Sequence, residues 1–197
     1  KIKSSFIFLD DNFYKFTNSE IPQFFNLNNS IKILRNFLMP KVGNAKDKKI
    51  YVTREDSSYR KIINESDLIT ILRSNGYKVI NPQLYEIHEQ IRLFAEADKI
   101  IAPYGSNLAN IVFCKEGAKI YEIGPRFDND YEKIFDDRYT SIAKINKLDY
   151  QRVISDTVDV EKHHKTAKKY INKKVLENSN YYKNLIVKIS DIEKILD

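Results

Sequence analysis

Short apolar runs alternate along the chain with segments whose apolar residues recur at helical spacing. Three of these segments, residues 64–76, 85–98 and 105–114, are predicted as helices. Four apolar runs between and around them are predicted as strands: KKIYVTR (48–54), YKVINP (77–82), KIIAP (99–103) and GAKIYEIGP (117–125). Strand–helix alternation at this spacing predicts parallel βαβ units. The expected fold class is therefore α/β, a Rossmann-like parallel sheet with helices on both faces.

Individual residues mark the ends of the predicted helices. Asn64 is predicted as an N-cap, and Gly76 as the left-handed residue that ends the same helix. Ser190 and Glu193 have the spacing of a capping box, which predicts a last helix over 190–196. An apolar stretch before Pro40 predicts a helix of about three turns.

The periodicity weakens after Pro125. Residues 126–147 are predicted as a long loop with one helix, and a strand with a loop is expected over 149–160. A polar loop or exposed helix follows over 161–179, and then a strand over 184–189. We divide the chain into an N-terminal helical or connecting segment, residues 1–46, and a Rossmann-like domain, residues 47–197.

Composition narrows the class of protein. The 197 residues are 42% hydrophobic, which favours a globular domain over a disordered chain. The single cysteine, Cys114, cannot form an internal disulfide, so a reducing compartment and a cytoplasmic location are expected. No apolar run has the length of a membrane span, and association with the inner face of a membrane is left open. The chain starts at Lys1 rather than Met and is interpreted as a fragment or a processed chain.

The net charge of +6 suits acidic ligands, although the basic residues are dispersed along the chain. The tyrosines lack the aromatic-plus-basic pattern of an RNA-binding sheet, so no nucleic-acid partner is predicted. A basic nucleic-acid-binding domain stays as a third alternative, which would show steeply salt-dependent binding to polyanions.

Polar residues follow the predicted strands, at the edge where ligands bind in open parallel sheets. Arg54 or Arg60 could meet the phosphate oxygens of a nucleoside diphosphate. Amides near Gly105 and Ser106 could bind the pyrophosphate, and Glu122 could accept hydrogen bonds from ribose hydroxyls. The alternative interpretation is that Arg54 and Glu122 are surface charges and that Gly105 forms only a tight turn.

The order of residues from Tyr51 to Pro125 resembles glycosyltransferase family 61. That pattern begins with an Arg after a strand, a second Arg and Asn-Glu, and it ends with a Gly-containing turn, a nearby Asn and a Glu before Pro. The matching positions here are Arg54, Arg60, Asn64, Glu65, Gly76, Tyr77, Gln90, Phe94, Ala97, Pro103, Gly105, Asn110, Phe113, Gly117, Glu122 and Pro125.

The resemblance implies a GT-B architecture, in which two Rossmann-like halves enclose the active site and the C-terminal half binds the nucleotide-sugar donor. This chain looks like that donor-binding half, with the N-terminal half and the acceptor site outside it. The implied activity is glycosyl transfer from a nucleotide-sugar to a saccharide or other hydroxyl acceptor, in capsular or surface polysaccharide biosynthesis. The implied donor-binding residues are Arg54, Arg60, Asn64, Tyr104, Gly105, Ser106, Asn107, Asn110 and Glu122.

Two positions depart from the family pattern. The His of the turn is Tyr104 here, and the following Ala is Ser106. A tyrosine has a different reach and does not titrate near neutral pH. The alternative function is therefore a non-catalytic module that binds a nucleotide or nucleotide-sugar. No general base is assigned; Glu65 is a nominal candidate, and favourable charge in a first helical turn explains it more simply.

Other chemistry-bearing residues do not form a recognisable site. Asp128-Asn129-Asp130 matches a short metal-diphosphate motif, but three-residue matches arise by chance. His163-His164 has no Cys or carboxylate partners at ligand spacing, so a zinc site is not expected there. No metal ion or other cofactor is predicted for the chain. His88 is predicted to face solvent, and Cys114 to lie in the core.

Overall fold

Within the described residues the sheet has six strands, and all but one of its pairings are parallel. A computed structural model describes residues 27–39, 48–55, 57, 60–127, 139–159 and 179–196. The strands in chain order are β1 (Lys49–Val52), β2 (Tyr77–Ile80), β3 (Lys99–Pro103), β4 (Lys119–Pro125), β5 (Asp149–Val158) and β6 (Asn184–Ile186). Their spatial order is β2-β1-β3-β4-β5-β6, and only β6 runs antiparallel to its neighbour among these strands. The predicted Rossmann-like α/β fold is confirmed.

Helices cover both faces of this sheet. They are α1 (Leu27–Leu38), α2 (Glu65–Ser74), α3 (Ile87–Glu96), α4 (residues 139–146) and α5 (Ile189–Glu193), with 3₁₀ segments at Pro82–Leu84, Ser106–Phe113 and Asn180–Tyr182. The predicted helix over 105–114 is thus a 3₁₀ segment rather than an α-helix. One face packs against α1, α3, α4 and Ser106–Phe113, and the other packs against α2 and α5.

Successive side chains of a strand pack alternately in two separate hydrophobic cores, one on each face of the sheet. Ile50 and Val52 pack in the first core, whereas Tyr51 between them packs in the second. This period of two follows from the pleat of the strand. Because both faces are covered, the strands read as continuous apolar runs in the sequence, which is why they could be predicted.

The connections reverse direction once, between β1 and β3. The chain passes from β1 to β2 through α2 on one face, and then from β2 to β5 through helices on the other face. Both directions agree with the right-handed crossovers that parallel strands require. At such a switch point the connections leave in opposite directions, and a crevice opens at the carboxyl ends of the two strands. The carboxyl ends of β1 and β3 are therefore the expected place for a ligand.

The helix ends differ from the sequence predictions in two places. Asn64 occupies the N-cap position of α2 but makes no side-chain cap hydrogen bond, because its amide bonds to the backbone of Val187 instead. The prediction of a capping box formed by Ser190 and Glu193 is wrong, because α5 begins at Ile189 and its N-cap residue is Lys188. The left-handed backbone predicted for Gly76 is confirmed by its φ of 81°.

Some predictions concern residues that the structure does not describe. They include most of segment 1–46, the Asp128–Asp130 motif, His163-His164 and nearly all of the polar segment 161–179. Those predictions lie outside the described residues.

Candidate functional site

Arg54 and the turn at Gly105 meet at the switch point between β1 and β3. Nη1 of Arg54 donates a hydrogen bond of 3.2 Å to the carbonyl of Tyr104, and Nη2 donates one of 3.0 Å to Oγ of Ser57. Gly105 has φ 152° and ψ 176°, a conformation that favours glycine. A Cβ at this position would lie 2.1 Å from Nη1 of Arg54. The guanidinium group therefore lies directly against the backbone of the turn.

Arg60 approaches the same turn from a loop that β6 holds in place. Its guanidinium carbon lies 5.2 Å from the centre of the Tyr104 ring, within the range of a cation–π contact. Arg60 is buried and has a positive φ of 57°, which is uncommon outside glycine. The next residue, Lys61, accepts a 2.7 Å hydrogen bond from the amide of Leu185, and Ile63 donates one of 2.8 Å to the Leu185 carbonyl. These backbone bonds fix the direction in which Arg60 leaves the loop.

Tyr104 is the residue on which these groups converge. Its amide donates to the carbonyl of Ile123 at 2.8 Å, which ties the turn to β4. The buried ring packs edge-to-face against Phe127, with centroids 5.9 Å apart and planes at 74°. On the other side of the turn, the hydroxyl of Tyr139 donates a 2.7 Å hydrogen bond to the carbonyl of Gly105. The turn is thus held by side chains from three different segments.

Glu122 lies near the same edge, but its carboxylate is enclosed. The hydroxyl of Tyr150 donates to Oε2 of Glu122, and Nε of Arg152 lies 3.6 Å from Oε1. Burial and the neighbouring Glu122 carboxylate raise the pKa of Tyr150 well above its ordinary value, so this phenol keeps its proton as a donor. Glu122 is 2% exposed, so the interpretation of this residue as a surface charge is wrong.

A second buried carboxylate, Glu65, supports the segment that carries Arg54. Oε1 of Glu65 accepts hydrogen bonds from the Tyr51 hydroxyl at 2.6 Å, the Thr53 hydroxyl at 2.9 Å and the Arg54 amide at 3.2 Å. Burial, followed by the Glu65 charge, raises the pKa of Tyr51. Glu65 thereby joins the end of β1 to the first turn of α2, and this structural role explains its place in the sequence pattern.

The remaining predicted site residues fall into two groups. Ser106 and Asn107 begin the 3₁₀ segment directly after Gly105, the first exposed and the second half-buried. Asn64 and Asn110 instead connect elements: Asn64 bonds to Val187, and Nδ2 of Asn110 donates to Oε1 of Gln90 at 3.3 Å. Whether any of these residues contacts a ligand stays a prediction.

The sequence did not indicate three residues that complete this edge: Phe127, Tyr139 and Arg152. Nη2 of Arg152 donates to the Pro125 carbonyl at 2.8 Å, and its guanidinium carbon lies 5.0 Å from the centre of the Phe127 ring. Arg152 lies in β5, a segment for which the sequence pattern predicted a strand and a loop but no functional residue. The register that pairs it with Glu122 is a tertiary property that the sequence pattern does not encode.

The described part of the chain also contains Cys114 and His88, for which the sequence predicted a core and a solvent-facing position. Among residues 27–39, 48–55, 57, 60–127, 139–159 and 179–196, no cluster of His, Cys, Asp and Glu is suited to a metal ion. Cys114 is buried, as predicted, and burial raises the pKa of its thiol. His88 is exposed on α3, as predicted. No described helix is both long and apolar enough to cross a membrane.

The parallel sheet with helices on both faces defines the chain as a Rossmann-like domain, and its arginine-lined turn lies at the switch point of that sheet. The family model described as Glycosyltransferase 61 matches residues 11–121, which is more than half of the chain. The protein therefore belongs to glycosyltransferase family 61, and the resemblance found in the sequence is confirmed. No curated protein gives a significant match.

Proposed function

We propose that this chain is the donor-binding part of a glycosyltransferase that transfers a sugar from a nucleotide-sugar to a hydroxyl acceptor. The observation that carries the proposal is the convergence of Arg54 and Arg60 on the Tyr104–Gly105 turn at the β1/β3 switch point. A role in surface polysaccharide assembly, at the inner face of the cytoplasmic membrane, is the setting that we propose from the family resemblance.

The arrangement suits a diphosphate for three physical reasons. Guanidinium groups bind phosphate oxygens through paired N–H donors, and they remain charged at any physiological pH. Arg60 is already ordered by its stacking and by the anchored loop, so little side-chain entropy is lost when a ligand binds. Gly105 lets the Arg54 guanidinium pack against the turn, because Nη1 of Arg54 takes the space that a Cβ at position 105 would need, and this contact holds the cation at the carboxyl ends of β1 and β3.

Glycosyl transfer breaks the bond between the anomeric carbon and the diphosphate oxygen and forms a bond from that carbon to the acceptor oxygen. The departing diphosphate takes the bonding electron pair and gains negative charge. Arg54 and Arg60 would stabilise that charge in the transition state. The acceptor hydroxyl gives its proton to a base, which we place with the acceptor site in a second Rossmann-like half, as in a GT-B architecture. We propose no metal ion for this chemistry.

A non-catalytic nucleotide-binding module is the second candidate function. It is favoured by Tyr104, whose ring is buried between Arg60 and Phe127 at the position of the family's titratable His. Both candidates require saturable nucleotide binding, and only the first requires sugar transfer. Arg54→Ala in a complete two-half enzyme should abolish transfer if the first is correct, and unchanged transfer would exclude the phosphate role of Arg54.

Isothermal titration calorimetry of the 197-residue chain with UDP, GDP, CDP, ADP and CMP tests the donor site directly. We expect one nucleotide to bind saturably and Arg54→Ala to weaken its binding at least about tenfold, the loss of one charge-assisted contact. Arg92→Ala is the matched control, because Arg92 is exposed on α3 and pairs only weakly with Glu89 at 3.3 Å. Equal affinity of wild type and Arg54→Ala, or no binding of any nucleotide, contradicts the proposal.

A further inference from the structure

Arg152 reaches toward the candidate site from a strand on its far side. We propose that Arg152 is a further phosphate-binding residue of the donor site, and that Glu122 and Tyr150 are positioning residues that orient it. The inference rests on the proposed function. In this arrangement Arg54 binds one phosphate of the diphosphate and Arg152 binds the other. Tyr104 lies between the two arginines.

The geometry of Gly124 shows how Arg152 reaches the site. In the sheet, Arg152 on β5 pairs with Glu122 on β4, one strand away from β3. A Cβ at Gly124 would lie 2.9 Å from Nη2 of Arg152 and 3.5 Å from Cβ of Tyr104. Nη2 of Arg152 and Cβ of Tyr104 thus both lie next to the bare backbone of Gly124, and Tyr104 is the residue that Arg54 and Arg60 also contact.

The contacts of Arg152 fix its orientation without enclosing it. Nη2 bonds to the Pro125 carbonyl, Nε faces Oε1 of Glu122, and the guanidinium stacks on Phe127. The side chain of Glu122 is 3% exposed, whereas that of Arg152 is 17% exposed. Burial of the carboxylate is costly unless it is paired and hydrogen-bonded. The arrangement thus places the anion in the interior and leaves the arginine side chain partly exposed.

The same contacts explain the position of Glu122 better than a ribose contact does. Both oxygens of its carboxylate already have partners, Tyr150 on Oε2 and Arg152 on Oε1. The Glu122 side chain is also only 3% exposed, so a ribose hydroxyl could reach it only if the groups that cover it moved. An orienting role needs no such rearrangement, because Tyr150 fixes one oxygen and directs the other toward Arg152.

Gly124→Ala is the most informative variant. Gly124 has no positive φ that would strain an alanine, and the methyl group displaces only the far end of a flexible side chain. We expect a melting temperature close to that of wild type. We also expect about tenfold weaker binding of the nucleoside diphosphate that wild type binds, with a smaller loss for the corresponding monophosphate. Arg152→Ala should give the same pattern, and Arg92→Ala should match wild type in both titrations.

The positioning role of Glu122 has its own readout. Glu122→Gln should lower the ratio of diphosphate to monophosphate affinity in the wild-type background, and should change it little when added to Arg152→Ala. This lack of additivity is expected because Glu122 acts through Arg152. A full additional loss in the double variant contradicts the positioning role.

The outcomes separate this inference from the proposed function. If wild type binds a nucleoside diphosphate and Gly124→Ala and Arg152→Ala bind it equally well, the Arg152 inference alone fails. Equal losses for diphosphate and monophosphate also overturn it, since they indicate a general disturbance rather than a lost phosphate contact. If wild type binds no nucleotide, the proposed function and this inference both fail.

Discussion

Arg54 occupies the space that a side chain at position 105 would need. The distance from Nη1 of Arg54 to a Cβ built on Gly105 is 2.1 Å, well inside van der Waals contact. Gly105 also has a φ of 152°, a backbone conformation that favours glycine, and a side chain at this position would in addition displace the end of Arg54. A larger residue at position 105 would therefore move the Arg54 guanidinium away from its present position.

We expect Gly105→Ala to destabilise the protein by roughly 1–3 kcal/mol and to weaken nucleotide binding by displacing Arg54. Gly76→Ala is the control, because Gly76 has φ 81° but no heavy atom of the described chain lies within 4 Å of its Cβ position. Gly76→Ala should lose about 1 kcal/mol of stability and keep full affinity. Urea denaturation and calorimetry measure the two quantities, and equal affinities for the two variants would contradict this displacement of Arg54.

Tyr51→Phe should lower the free energy of unfolding by roughly 1–3 kcal/mol. The substitution removes one of the three hydrogen bonds to Oε1 of Glu65 and leaves a buried carboxylate less satisfied. Glu65→Gln should cost less than Glu65→Ala, because the amide oxygen of glutamine can still accept from Tyr51 and Thr53. Chemical denaturation of the four proteins checks this order, and a Tyr51→Phe variant as stable as wild type would refute it.

Tyr77 gives a prediction at alkaline pH. Burial, and then the nearby Tyr121, raise the pKa of Tyr77 from its ordinary value of 10.0 to about 12. The unfolded chain loses this proton near pH 10, whereas the folded protein keeps it until about pH 12. The contribution to stability is therefore fully present below about pH 10 and is lost as the pH rises toward 12, by about 1.4 kcal/mol per pH unit.

Tyr77→Phe should remove this part of the alkaline loss, so the two stabilities diverge in favour of the variant above about pH 10. At pH 7 the variant should be as stable as wild type or more so, because the Tyr77 hydroxyl has no hydrogen-bond partner within the described residues. Urea denaturation at a series of pH values from neutral to alkaline measures the difference. Parallel curves for the two proteins would show that the folded-state pKa of Tyr77 is not raised.

Asn64 should matter for stability through the C-terminal segment. Its Nδ2 donates to the Val187 carbonyl at 2.8 Å, and its Oδ1 accepts from the Val187 amide at 3.0 Å, across a separation of 123 residues. We expect Asn64→Ala to cost roughly 1–3 kcal/mol, since two backbone groups lose their partner. Asn64→Asp keeps the acceptor but sets a carboxylate against a carbonyl, so it should not restore stability. Full stability of Asn64→Asp would contradict the two-bond arrangement.

The strands and most helices could be predicted because local pattern decides them. The strand KIIAP has the predicted bounds, and the helix predicted over 64–76 is found as Glu65–Ser74. The caps were harder to predict, because a polar side chain near a helix start can choose between local and distant partners. The side chain of Asn64 forms its hydrogen bonds with the backbone of Val187, and a contact across 123 residues cannot be predicted from the local sequence pattern.

The site could be predicted only in part, for a similar reason. Residues that come just after a strand, such as Arg54 and Gly105, are placed near the carboxyl ends of β1 and β3 by topology alone. Arg152 reaches that edge only through its register beside Glu122 and through the free space at Gly124. Such contacts depend on side-chain direction across three strands, and the sequence order of the same residues does not indicate them.

The short strand β6 bears on the order in which the loop that carries Arg60 takes its final position. Asn184 and Leu185 hold the backbone of Lys61, beside Arg60, and the first of these contacts spans 123 residues. During synthesis, β1 to β5 leave the ribosome before the strand that anchors this loop does. We therefore expect the arginine that stacks on Tyr104 to take its position only after β6 has been synthesised and has paired with its neighbours.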